Sequence, residues 1–356
     1  MTSAGIARAP FGKLHDGTVV ERVTLRGEGG FEAAILPFGA TLQALLTPDR
    51  GGRCDDIVLG HDEFDGYLAQ RKFFGATIGR YANRIAGGRF VLDGDPVTLE
   101  ANNGPNALHG GPQGFDRKLW RIVELSDDPG PTLVLERESP HGEEGYPGNL
   151  AARVSYRVRN PMELAVTYEA TTDRPTVLNL TNHSFFNLDG ARSGSQILDH
   201  HLTIPSEHFL AVDATAIPLP GPPRPVDGTP FDFRKPTAIG GRIRMNDEQL
   251  RLGRGYDHNF CLAEGTGLRL AARLEAPHSG RAMELFTDQP GLQFYSGNFL
   301  DGSTAGKGNR LYRQSDALCL EPHAWPDTPN RPDFPSARLD PGQIYRRSIV
   351  YRFSTV

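Results

Sequence analysis

Cysteine is scarce: Cys54, Cys261 and Cys319 are the three in a chain of 356 residues. An odd count without a close pair excludes a disulfide frame and a cysteine-rich zinc site, and it fits a reducing compartment. Long apolar runs are missing as well. No stretch of about 18 apolar residues occurs, so no membrane-spanning helix is expected. The opening MTSAGIARAPFGKLHDG lacks the apolar core of a secretory signal. Neither sign of charge dominates, since 43 acidic side chains against 38 basic ones give −5. The charges are mixed along the chain, with no basic run to follow a phosphate backbone. These absences predict a cytoplasmic protein with no nucleic-acid and no membrane partner.

Several chemistries lack their motifs. No H-x-H or H-E-x-x-H is present, and His200-His201 on a strand would point to opposite faces, so no metal site is expected. There is no G-x-S-x-G elbow for a serine hydrolase. No phosphate-cradling glycine loop follows a strand, so no nucleotide cofactor is expected either.

Glycine and proline are what the chain has, 41 and 28 of them. Together with thin helix-length periodicity they predict many short strands joined by turns. Strands are expected at 132–136, 152–159, 162–171, 268–275, 282–287 and 344–353. A hairpin is expected around Asp93-Gly94, which can take the positive φ angles of a tight primed turn. The best helix is DEFDGYLAQ, 62–70. The proline-rich segment 217–236 cannot be a central strand, and it reads as a loop crossing one domain that spans 1–356. The expected class is all-β, a large antiparallel β-sandwich with few short helices.

Against that background four polar clusters stand out. GRYANRI carries Asn83 and Arg84, NALHGG carries His109, NLTNHSFFNL carries His183, and YDHNF carries Asp257 and His258. With GLQFYSGNF and LCLEPHAWPD they supply carboxylates, imidazoles, a guanidinium and amides. Each alone has a structural reading: His109 capping a turn carbonyl, Arg84 in a surface ion pair, Asp257 closing a turn. Glu321 is the least easily dismissed, because a carboxylate inside an apolar strand is costly to bury without a purpose. The set suits acid–base work on a polar, uncharged ligand, with amides, Arg and Asp for hydroxyl groups and aromatics for a sugar's apolar face.

The sequence resembles the galactose mutarotase (aldose 1-epimerase) family nearly end to end. The motifs IGRYANRIAGGRF, NALHGGPQGFDRKLW, NLTNHSFFNL, GTPFDFRKPTAIG, GYDHNF and GLQFYSGNFLDG carry the resemblance, in the family's order. It implies a β-sandwich with the sugar in an open cleft, Glu321 as general base and His183 as general acid. It also implies His109 as a second active-site histidine, Arg84 and Asp257 as hydroxyl-binding residues, and Asn83 and Gln293 in support. Free aldoses such as galactose and glucose would be the substrate, with no cofactor, and the protein a monomer or homodimer. One departure stands beside the base: where the family commonly has glutamine two residues after the glutamate, this chain has His323, preceded by Pro322. Competing readings are a hexose 6-phosphate mutarotase, which would want a basic cluster, and a non-catalytic sugar-binding protein. An inverting glycosidase is a third, and would need Asp257 and Glu321 roughly 6.5–9.5 Å apart.

Overall fold

The computed structural model of the protein describes residues 5–159, 162–263, 265 and 267–356. Antiparallel pairing organises them into sheets of nine, six and five strands with several two-stranded ladders. The nine-stranded sheet runs in the order Arg121–Ser126, Thr132–Ser139, Leu150–Arg159, Glu163–Thr172, Tyr345–Thr355, Arg281–Thr287, Arg269–Glu275, His201–Thr203, Thr237–Ala238. The last strand of the chain therefore lies mid-sheet. The six expected strands are all present, with ends moved by up to three residues. The largest shift is at Thr132–Ser139, which outruns its expected end because the charge that should stop it is neutralised: Arg137 is buried and bonds Glu143 at 2.7 Å.

Period-two patterning explains the layers. In Leu150–Arg159 the residues Leu150, Ala152, Val154, Tyr156 and Val158 are buried, while the alternate positions face outward. That periodicity buries one face of a pleated strand. One apolar cluster draws on all three large sheets, including Leu25 and Ile35, Val154 and Tyr168, and Phe260, Leu292 and Phe294. The hairpin forms as expected: Arg89–Leu92 pairs with Asp95–Thr98, and φ is 54° at Asp93 and 91° at Gly94. The expected helix shrinks to Phe64–Ala69, and a second short one is Glu248–Gly253. The proline-rich segment adds only the pair Arg224–Pro225, at the very edge of the six-stranded sheet, where a missing amide does no harm.

The six-stranded sheet positions the site. Its order is Phe185–Phe186, Leu318–His323, Gly291–Tyr295, Asp257–Cys261, His208–Phe209, Arg224–Pro225. Gln293 pairs with both Glu321 and Asn259, and Tyr295 with both Cys319 and Asp257. Cross-strand partners share a face, so one face presents Glu321, Gln293, Asp257 and Tyr295. The alternate residues Leu320, Phe294 and Phe260 enter the core. His258 is also fully buried; its Nδ1 accepts from the Asp257 amide at 3.1 Å and its Nε2 lies 3.2 Å from Gln249 Oε1. It therefore takes no part in the cleft.

Candidate active site

The polar face of the six-stranded sheet floors a cavity of about 290 Å³, with Asn83, Arg84, His109, His183, Asp257, Gln293 and Glu321 all in its lining. Every expected site residue is thus brought to one place. The volume lies just below the ~300–1,000 Å³ typical of ligand pockets, room for one sugar ring, and an adjoining hollow of about 290 Å³ shares Arg84, Asn103, Asp257 and Phe299 with it.

Glu321 and His183 form its centre. His183 Nε2 lies 3.6 Å from Glu321 Oε2, and both side chains are almost fully buried. That carboxylate oxygen has no hydrogen-bond partner among the described residues, an expense that folded proteins accept mostly at functional sites. The His183 ring is stacked between Phe73 and Phe185, with centroids 5.6 and 5.1 Å away. Its Nδ1 sits 3.6 Å from the buried Cys319 thiol. Burial lowers the His183 pKa to about 3. Burial first, then the nearby Asp257 charge, pushes Glu321 well above the usual carboxylate range against the opposing pull of Arg84. Both shifts lean toward the uncharged pair, a carboxylic acid beside a neutral imidazole. That arrangement holds the same single proton as a carboxylate beside an imidazolium, so moving one proton between the two groups interconverts the forms.

A second group of residues hangs on Asn83, whose φ is 67°. Its amide donates to His109 Nδ1 at 3.1 Å, and its Oδ1 accepts from the Arg84 amide at 2.8 Å. His109 and Phe73 also lie in the left-handed region, at 52° and 60°. Three non-glycine residues in so sparsely populated a conformation line one cavity, a clustering characteristic of ligand sites. With Nδ1 accepting, neutral His109 carries its proton on Nε2. Burial, followed by the His183 and Arg84 charges, holds its pKa well below the ordinary value.

This tautomer bears on metal binding. His109, His183 and Glu321 offer ligand atoms all within 4.8 Å of one another. A metal would need the Nε2 lone pair of His109, which the proton occupies while the Asn83 amide fills Nδ1. The trio therefore fits a hydrogen-bonding site better than a metal centre.

Gln293 Nε2 donates to Asp257 Oδ1 at 2.7 Å. Arg84 Nε donates to Asn103 Oδ1 at 2.9 Å, and its Nη groups have no protein acceptor among the described residues. Two cations that sequence reasoning missed, Arg71 and Lys72, also line the cavity. Arg71 is bound by Asp116 through two 2.7 Å hydrogen bonds, and Lys72 lies 3.9 Å from Asp301. Arg71 is thus held by its carboxylate, whereas Lys72 is only loosely paired with an exposed one. The aromatic wall of Phe73, Phe185, Tyr295 and Phe299 was also not assigned from sequence. Phe185, Tyr295 and Phe299 fall within the quoted motifs, whereas Phe73 lies outside them.

Buried neutral imidazoles make stability depend on pH. Burial lowers His183 and His258 to about 3 and His323 to about 4, with His109 also low. Below their ordinary pKa of about 6.5 the unfolded chain binds protons that the folded protein refuses, so stability falls as pH falls. The slope reaches about 1.4 kcal/mol per pH unit for each group. Glu321 and Asp257, raised by burial, act in the opposite sense but are outnumbered. Melting temperature is expected to drop steadily from pH 7 to pH 5 in differential scanning calorimetry. A constant value would mean that these rings are charged in the folded protein.

An antiparallel β-sandwich with a carboxylate and imidazoles facing a monosaccharide-sized cleft defines a class of acid–base site, and comparison with known proteins narrows it. The structure of galactose 1-epimerase from Lactobacillus acidophilus superposes with a TM-score of 0.87 at 28% identity, covering 99% of each chain. The human galactose mutarotase is 44% identical over 352 residues, 99% of both chains. The aldose 1-epimerase of Escherichia coli is 40% identical over 341 residues, 95% of this chain and 96% of its own. The family model for aldose 1-epimerase matches residues 21–352. The chain belongs to the aldose 1-epimerase family.

Proposed function

We propose that the protein interconverts the α- and β-anomers of free aldoses such as galactose and glucose, as an isomerase that uses Glu321 and His183 for proton transfer. The observation that carries this reading is the buried Glu321–His183 pair, 3.6 Å apart, in a monosaccharide-sized cleft. Relatives named for this activity support it.

Each step balances within the site. The Glu321 carboxylate accepts the proton of the C1 hydroxyl while the C1–O5 bond breaks. The bonding pair goes to O5, which takes the proton from His183, and C1–O1 becomes a carbonyl. Rotation about C1–C2 presents the other face of the aldehyde. The ring then closes, with neutral His183 taking the O5 proton back and protonated Glu321 returning its proton to O1. Burial leans toward the uncharged pair, and the C1 hydroxyl, by donating to Glu321, stabilises the charged form. His109 Nε2–H, the free Nη groups of Arg84, and Asp257 steadied by Gln293 serve to hold the remaining hydroxyls, with the aromatic wall against the ring's C–H face. The proton transfers stay within this one pair.

Arg84→Ala and Asp257→Ala remove charge-assisted hydrogen bonds worth about 1.5–3 kcal/mol each. KM for galactose is expected to rise roughly 10- to 100-fold with a smaller change in kcat. Equal KM values in steady-state kinetics would remove both residues from sugar binding. The activity itself is tested by magnetisation exchange between the α- and β-anomeric protons of equilibrated galactose, with protein dialysed against a chelator. Exchange should persist undiminished. Exchange that returned only with an added divalent ion would make His109, His183 and Glu321 a metal site.

A further inference from the structure

We infer that His323 is a positioning residue that locks Asn83 and through it His109 and Arg84. His323 is fully buried and lies behind Asn83. Its Nδ1 is 2.6 Å from the Ala324 carbonyl, so Nδ1 donates and Nε2 keeps its lone pair. Asn83 Nδ2 reaches that lone pair at 3.5 Å.

The remaining groups of Asn83 are engaged as well. Its main-chain amide donates to His109 Nδ1, its main-chain carbonyl accepts from the His109 amide at 3.2 Å, and its side-chain Oδ1 accepts from the Arg84 amide. An asparagine so committed has one Nδ2 proton left for any ligand. Its task is to fix the His109 tautomer and the start of the Arg84 strand, more than to hold sugar.

The clamp closes into a ring. Asn179 accepts from the Ala324 amide at 2.8 Å and donates to the carbonyls of both Ala324 and Ala82. Thus the carbonyl that sets the His323 tautomer and the residue preceding Asn83 are held by one buried side chain. Glutamine could offer Oε1 to Asn83 Nδ2 in the same place. An apolar side chain of similar size could not, and would leave a buried amide unsatisfied.

The kinetic part of the test rests on the proposed aldose activity; the spectroscopic part does not. In ¹⁵N-labelled protein, imidazole ¹⁵N–¹H correlation spectra should show His109 as a single Nε2–H tautomer in the wild type and in His323→Gln. In His323→Leu that tautomer should give way to a mixture, and equally in Asn83→Ala with His323 intact, where the main-chain N–H remains but the side chain that holds φ at 67° to aim it is gone. KM for galactose should rise at least ~10-fold in His323→Leu with kcat within ~3-fold, while His323→Gln stays within ~3-fold of wild type. Because the histidine acts through Asn83, the double variant should be no worse than Asn83→Ala alone. An unchanged His109 tautomer in His323→Leu, or losses that multiply in the double variant, would overturn the inference. Absence of wild-type anomerisation would instead defeat the aldose reading and leave the spectra to decide the role of His323.

Discussion

Glu321→Gln is expected to lower turnover of galactose anomers by ~10³-fold or more while leaving KM within a few-fold. A positioned general base contributes about 10²–10⁴-fold, and the amide keeps the shape of the carboxyl while losing its basicity. The substitution also separates binding from chemistry. The residue is buried, and its Oε2 has no protein partner among the described residues, so the neutral amide breaks no hydrogen bond of that oxygen. Folding should therefore survive, and thermal melting alongside the kinetics checks it. Near-normal turnover in Glu321→Gln would place the base elsewhere.

His183→Asn should reduce kcat by ~10²-fold or more with little effect on KM, because its proton matters most as the C1–O5 bond breaks. Asparagine can still donate a hydrogen bond, but it cannot give up a proton to O5. The ring is also packed between Phe73 and Phe185, so some loss of melting temperature is expected in addition. The two effects are separable, since lost packing lowers stability and a lost proton lowers kcat at temperatures where the protein is fully folded. Normal kcat with reduced stability would make His183 a packing residue.

Much of this was legible in the sequence because β-structure writes its periodicity plainly. Alternation in Leu150–Arg159 and the Asp93-Gly94 turn needed no tertiary information. Glu321 was legible for the opposite reason, as a charge that broke an apolar run. What the sequence could not supply was which side of each strand met which. Asp257 and His258 are neighbours in one motif, yet one faces the cleft and the other the core, a distinction set by register with Tyr295 and Phe294. Arg71 and Lys72 escaped notice because they fall outside the motifs, and the pairing of Arg71 with Asp116 depends on a long-range contact. The charge state of the central pair was also out of reach. Burial raises the Glu321 pKa and lowers that of His183, and that burial is built by segments far apart in the chain.

The central claim is that Glu321 serves a sugar whose anomeric oxygen still carries a proton. The most direct measurement is the optical rotation of freshly dissolved α-D-galactose, followed with wild-type protein, with Glu321→Gln and with no protein. A parallel sample holds a nitrophenyl galactoside, which has no such proton. The prediction is rapid approach to the equilibrium rotation with the wild type, a rate near the uncatalysed one with the variant, and no nitrophenol from either. Nitrophenol release by the wild type that Glu321→Gln abolishes, with the rotation of galactose changing no faster than in buffer, would contradict it.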